Sequence, residues 1–321
     1  MKVTVLGTGA WGSTLADLLD SPECSVVRWS RRSQQPLQDA IDQADVIVSA
    51  VSMKGVSSLA QQIQGLAIAR TVAIVSATKG LASGETDPQD AELSIRSLPD
   101  RPSELWSRAL PQNPIVVLSG PNLSREIQQG LPAAAVAAST QETAAVLVQS
   151  LFNSQRFRVY TNADPIGVEL AGALKNVIAI ATGACDGLGL GMNARSALVT
   201  RGLAEMIRIA SLWGARPETL YGLAGVGDLM ATCGSPLSRN YQVGYRLAQG
   251  ASIHQVLETL EGTAEGINTT QVLMQLVRSQ PTDCPIELPI TEQVDRLLNA
   301  ASTPADALSA LMSRVSKAER F

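Results

Sequence analysis

Six residues near the N-terminus, Gly7-Thr8-Gly9-Ala10-Trp11-Gly12, constrain this chain more than any others. They follow Lys2-Val3-Thr4-Val5-Leu6, a β-branched run that reads as a strand. They precede Leu15-Ala16-Asp17-Leu18-Leu19, an apolar helical stretch. Strand, G-x-G-x-x-G and helix, in that order, make a dinucleotide-binding turn. The first glycine makes the tight turn, the second lets backbone approach a pyrophosphate, and the third allows close helix–strand packing. The helix N-terminus then offers free N–H groups and the positive end of its dipole to the phosphates. A plain glycine-rich strand-to-helix turn is the alternative.

The rest of the first half alternates in the same way. Strands are predicted over Lys2–Leu6, Ser25–Trp29, Val46–Ala50, Thr71–Ser76, Ile115–Leu118, Ala133–Ala138 and Arg156–Tyr160. Helical segments such as Lys54–Gln64 and Gln141–Phe152 intervene, which predicts a mainly parallel, doubly wound α/β sheet of Rossmann type. Leu81–Pro111, with its Gly, Pro and acidic residues, reads as a loop with short helices. From Asn162 onward the pattern is helical. Asp164-Pro165 is a cap-plus-proline start. Helices are expected over Ala194–Trp213 (ended by Gly214), Asn240–Gln249, Ile267–Gln280, Thr291–Ala300 and Pro304–Lys317. The expected division is a Rossmann domain over 1–161 and an all-α domain over 162–321.

A chain of 321 residues with 45% hydrophobic content can bury a sizeable core. Its net charge of −4 and pI of about 5.2 argue against a nucleic-acid or anionic-membrane surface, but leave room for a small basic pocket. No run of about 18 uninterrupted apolar residues suggests a membrane span. Cys24, Cys185, Cys233 and Cys284 lie far apart and no secretory leader precedes the first strand. Free thiols in a reducing cytoplasm are therefore expected. His254 is the only histidine, which excludes a multi-histidine metal site, and its place in an ordinary amphipathic helix start argues against a histidine base; no metal is expected.

Dinucleotide folds that take NAD often place an acid at the end of the second strand, for the ribose 2′-OH. Here that strand ends in Trp29-Ser30-Arg31-Arg32, with no acid between Glu23 and Asp39. Arginine suits a 2′-phosphate. NADP(H) is favoured and NAD(H) remains possible. A second feature is Lys175, inside the apolar helix Val168–Ala181, with Glu169 six positions away and out of i,i+4 reach. Burial favours a neutral lysine and suits it to acid–base work. A snorkelling lysine or a structural ion pair is the alternative. Asp228, after Gly222-Leu223-Ala224-Gly225-Val226-Gly227, is a candidate partner. Ser235-Pro236-Leu237-Ser238-Arg239-Asn240 offers a helix cap and a phosphate-compatible fork.

Together these pieces resemble bacterial NAD(P)-dependent glycerol-3-phosphate dehydrogenase. The resemblance rests on the glycine turn, Ala77-Thr78-Lys79-Gly80-Leu81, Leu118-Ser119-Gly120-Pro121-Asn122 and Gly172-Ala173-Leu174-Lys175-Asn176-Val177-Ile178-Ala179. It continues through Asn193-Ala194-Arg195, Thr200–Met206, Gly225–Leu229, Ser238-Arg239-Asn240, Glu265-Gly266 and Pro289–Glu292, nearly the whole chain. It implies reduction of dihydroxyacetone phosphate to sn-glycerol 3-phosphate for phospholipid synthesis by a homodimer, with a C-terminal substrate-binding and catalytic domain. Lys175 would be the proton donor and acceptor. Lys79, Gly120, Asn122, Asp228, Ser238, Arg239 and Asn240 would line the substrate site. Gly7, Gly9, Ala10, Trp11, Gly12, Arg31, Lys79, Ser124, Arg239 and Glu265 would meet the cofactor, with Arg32 added from its charge. Residues 33–44 make a shorter connection after Arg32 than many family members carry. Competing readings are a related lysine-dependent hydroxyacid dehydrogenase and a non-catalytic NADP(H)-sensing protein.

Overall fold

A computed structural model describes residues 1–83, 98–280, 286–316 and 318–319. The first half runs β1 (Lys2–Leu6), α1 (Ala10–Leu19), β2 (Ser25–Trp29), α2 (Leu37–Ile41), β3 (Val46–Ser49), α3 (Met53–Ile63), β4 (Ala73–Ser76) and α4 (Pro102–Ala109). It continues with β5 (Ile115–Ser119), α5 (Ser124–Gln128), β6 (Ala133–Ala138), α6 (Glu142–Phe152) and β7 (Phe157–Asn162). The strands form one sheet in the order β2-β1-β3-β4-β5-β6-β7. Every pairing is parallel except β5 with β6. β3 and β4 are buried along their whole length, as fits a sheet covered on both faces. The seven predicted strands all form, with edges moved by one or two residues. Leu81–Pro111 contains α4, and its residues 84–97 lie outside the described residues.

After β7 the described residues form no further named strand. Helices α7 (Pro165–Gly187), α8 (Gly191–Ser211), α9 (Pro217–Leu220), α10 (Asp228–Cys233), α11 (Arg239–Ala248), α12 (Ile253–Thr259), α13 (Glu265–Ser279), α14 (Pro289–Leu298) and α15 (Pro304–Met312) follow one another, with a π-helical turn over Leu223–Gly227. Lys317, the expected end of α15, and Cys284 lie outside the described residues. Cys24, Cys185 and Cys233 are buried free thiols.

Helix α7 is the axis of this half. Asp164 caps it by accepting from Gly167 N at 2.9 Å, and Pro165 occupies the first turn, where its missing N–H costs nothing. Asp164 also accepts from Arg216 N at 2.9 Å and Thr219 Oγ1 at 2.7 Å, which ties in the start of α9. Val168, Leu170, Leu174, Val177, Ile178 and Ile180 are each at most 2% exposed. Burying such side chains contributes about 1.5–3 kcal/mol apiece, enough in sum to carry a few buried charges on the same helix. By length and composition α7 is long and apolar enough to cross a membrane, although Glu169 and Lys175 interrupt its apolar run. Every residue of its most apolar window is nevertheless buried inside the fold.

Candidate active site

The glycine turn is built for backbone approach. Gly7 has φ +107°, open to glycine at little cost, and its N–H donates to Trp29 O at 2.8 Å. A Cβ at Gly12 would fall 1.9 Å from Gly7 O, so α1 starts as close to the strand as a glycine permits. A Cβ at Gly9 would meet nothing within 4 Å; that side of the turn is open. Gly9 also caps α1 without a side chain, leaving the helix start to another acceptor. Beside it, the Trp11 indole Nε1 is buried with no hydrogen-bond partner. Open backbone, a bare helix N-terminus and an orphaned donor together fit the pyrophosphate of a dinucleotide.

The second cluster forms where the carboxyl ends of β4 and β5 meet α7 and α10. Lys175 and Asp228 are 6% and 1% exposed, and Lys175 Nζ donates to Asp228 Oδ1 at 2.7 Å. Lys79 Nζ donates to the other oxygen, Oδ2, at 2.7 Å and to Gly120 O at 2.9 Å. One carboxylate therefore holds two ammonium groups. Thr232, one turn after Asp228 on α10, donates to Oδ1 at 3.1 Å and accepts from Lys175 Nζ. Burial pushes the Asp228 carboxyl up, but Lys175 and Lys79 outweigh it and hold the group below its ordinary range. Burial likewise lowers Lys79, to about 8, with Asp228 opposing and Lys175 adding to the fall.

A chain of amides extends from this cluster to the start of α11. Asn176 Nδ2 donates to Lys79 O at 3.1 Å, Asn240 Nδ2 donates to Asn176 Oδ1 at 2.9 Å, and Gly266 N donates to Asn240 Oδ1 at 2.9 Å. Ser238 caps α11 by accepting from Tyr241 N. Arg239 is exposed, and a Cβ at Gly262 would lie 2.4 Å from its Nη1. Glu265, at the start of α13, accepts from Met53 N at 3.3 Å across the cleft. Burial raises its pKa, against the pull of Met53 N, Arg239 and Lys54.

Lys79, Gly120, Lys175 and Asp228 are thus in direct contact, with Asn240 joined to them through Asn176. Asn122 is anchored by Nδ2 on Ala134 O at 3.0 Å, and its Oδ1 is buried without a partner. Ser124 opens α5, and Ala10 is exposed in the first turn of α1. Arg31 and Arg32 stand exposed after β2, in a turn closed by Ser33 N on Ser30 O at 2.9 Å. Thr232 and Asn176 were not singled out from the sequence, although their spacing was informative. Thr232 follows Asp228 by four residues on one helix face, and Asn176 adjoins Lys175. His254 is exposed and pairs with Glu258, at 3.2 Å. Among the described residues no three His, Cys, Asp or Glu side chains gather where they could hold a metal ion.

The family model of the NAD-dependent glycerol-3-phosphate dehydrogenase C-terminus matches residues 164–309, and that of its N-terminus matches 2–36 and 33–145. The chain belongs to this family. A glycerol-3-phosphate dehydrogenase [NAD(P)+] of a Nostoc species is 55% identical over 317 residues, 99% of this chain and 98% of that one. The protein of the same name from Synechocystis is 52% identical over 318 residues, covering 99% and 95%. The crystal structure of glycerol-3-phosphate dehydrogenase from Coxiella burnetii superposes with a TM-score of 0.87 at 33% identity, over 98% of this chain and 99% of that one. Lys79 and Gly120 lie in the part matched to the family's N-terminus, and Lys175, Asp228 and Asn240 in the part matched to its C-terminus. In this dehydrogenase the lysine cluster is made by joining the two.

Proposed function

We propose that the chain catalyses the reversible, NAD(P)H-dependent reduction of dihydroxyacetone phosphate to sn-glycerol 3-phosphate. The observation that carries this reading is the Lys175–Asp228–Lys79 arrangement, two ammonium groups on one carboxylate beside an open dinucleotide turn. When bound, the nicotinamide supplies the hydride. Lys175 gives its proton to the C2 oxygen and stabilises the negative charge that develops there. Asp228, kept ionised by its two partners, balances and orients the Lys175 ammonium. Lys79, anchored on Gly120 O, holds the reacting end of the substrate, and Asn122 lines the same side. Ser238, Arg239 and Asn240 receive the substrate phosphate at the start of α11, where free N–H groups and a guanidinium favour an anion.

Gly7, Gly9, Ala10, Trp11 and Gly12 would hold the cofactor, with Ser124, Lys79, Arg239 and Glu265 toward the cleft. Arg31 and Arg32 favour NADP(H) through the 2′-phosphate, and NAD(H) is also accepted. Residues 1–161 are the cofactor domain and 162–321 the substrate domain. The enzyme works in the cytoplasm as a homodimer and supplies glycerol phosphate for phospholipid synthesis. The deciding experiment follows NADPH absorbance with dihydroxyacetone phosphate added. Turnover on it faster than NADP+-linked oxidation of hydroxyacids supports the reading. Cofactor binding without turnover would instead mark a sensing protein, and preference for a hydroxyacid a different dehydrogenase.

A further inference from the structure

The contacts of α7 with the strand that leads to Lys79 fall on one face of the helix. Glu169, Gly172 and Asn176 stand at i, i+3 and i+7, a spacing that stacks positions along a helix. Ser76, at the end of β4 and three residues before Lys79, donates from Oγ to Glu169 Oε1 at 3.3 Å. A Cβ at Gly172 would fall 3.3 Å from Lys79 Cγ and 2.6 Å from Ser119 Oγ, so the helix backbone lies against the lysine stem. Asn176 closes the seam by donating to Lys79 O at 3.1 Å.

Glu169 is fixed from the other side by α4. Ser103 N donates to Oε1 at 2.8 Å, Ser103 Oγ donates to Oε2, and Arg101 Nη1 donates to Oε2 at 3.4 Å. The Glu169 side chain has no exposed surface. A carboxylate in such a place costs desolvation that an apolar side chain of similar volume would avoid, and burial raises its pKa despite Arg101 and Ser103. Its contacts join three elements, of which α7 carries Lys175 and β4 leads into Lys79.

We propose that Glu169 is a positioning residue. It locks α7 to the end of β4 through Ser76, with α4 as backing, and so sets the spacing between Lys79 and Lys175. This rests on the reading of both lysines as reacting-site residues. Glu169→Gln keeps the shape, loses the charge and sets an amide N–H₂ against donors.

The test compares Glu169→Gln, Ser76→Ala and Ser103→Ala with the wild-type enzyme, all assayed well below their melting temperatures. Wild-type turnover must be present first; its absence would sink the functional reading rather than this one. Glu169→Gln should lower kcat by about tenfold or more, with KM for both substrates within about twofold, the signature of misplaced reacting groups. Ser76→Ala, which cuts only the link toward Lys79, should lower kcat by about threefold, while Ser103→Ala should lower the melting temperature and leave kcat within about twofold. Wild-type kcat in folded Glu169→Gln would overturn the proposal. So would kcat losses in the two serine variants that simply track their melting temperatures.

Discussion

The glycine turn and the lysine cluster are built by different means for the ligands proposed for them. At residues 7–12 the work is done by backbone: a positive φ at Gly7, no side chain at Gly9, and Gly12 pressed to within contact of Gly7 O. At the cluster it is done by side-chain charge in a buried setting. Lys79, Lys175, Asp228 and Thr232 come from elements up to 153 positions apart in sequence (232 − 79). A backbone site can be local and contiguous because a turn and a helix start are themselves local. A charge cluster must be assembled by the fold, because two like charges tolerate burial only around a shared counter-ion. Binding and chemistry should therefore separate under mutation.

The largest separation is expected at Asp228. Asp228→Asn removes the one carboxylate that holds both lysines, and kcat should fall by about 10²-fold or more, the scale on which acid–base groups act. NADPH affinity, measured by fluorescence titration, should change far less. Equal loss of both would mean that the two regions are not distinct. Next is Arg239, exposed at the start of α11. Arg239→Ala should raise KM for dihydroxyacetone phosphate by about tenfold or more, as fits the loss of a hydrogen bond between charged groups, with a smaller change in kcat. An unchanged KM removes Arg239 from the phosphate site.

Smaller effects sharpen the cofactor side. The double change Arg31→Ala, Arg32→Ala should weaken NADPH about tenfold and leave NADH within about twofold, since only the former carries a 2′-phosphate. Equal effects on both cofactors would remove the pair from specificity. A still subtler effect concerns Glu205 of α8, which accepts from Ile290 N at 3.1 Å and Thr291 N at 3.2 Å at the start of α14. Burial raises it from 4.5 to about 7. Between those values the folded chain keeps a proton that the unfolded chain has released. The contribution to stability is therefore complete below 4.5 and is lost as pH rises toward 7. Thermal melts of Glu205→Gln should show a weaker decline over that window than wild type. Identical slopes would contradict the assignment.

The order of strands and helices was legible because most strands are short runs rich in β-branched residues beside a turn, β6 with its alanines excepted, and the long helices carry several periods of apolar residues. Helices α2, α5 and α9 and the π-helical turn over Leu223–Gly227 are only four or five residues long, too short to show a period. In the site, Lys175 was visible because a charge interrupts an apolar helix, and Asp228 because it follows a glycine-rich stretch. Thr232 and Asn176 lie in ordinary helical sequence, where only their spacing from Asp228 and Lys175 sets them apart. Glu169 was the clearest gap. The spacing ruled out an i,i+4 pair with Lys175, and its partners come from Arg101 and Ser103, in a segment read as a loop with short helices, and from Ser76 on the sheet. Sequence neighbours restrict partners within an element; contacts between elements wait for the fold.

The division between a backbone site that binds and a charge cluster that reacts meets its most direct test in Lys175→Ala. The measurement pairs NADPH affinity with the rate of NADPH oxidation on dihydroxyacetone phosphate. Affinity within about twofold of wild type and kcat lower by at least about 10²-fold are expected if, as proposed, the proton and the charge stabilisation at the C2 oxygen come from that one side chain. A variant that turns over near the wild-type rate would contradict it.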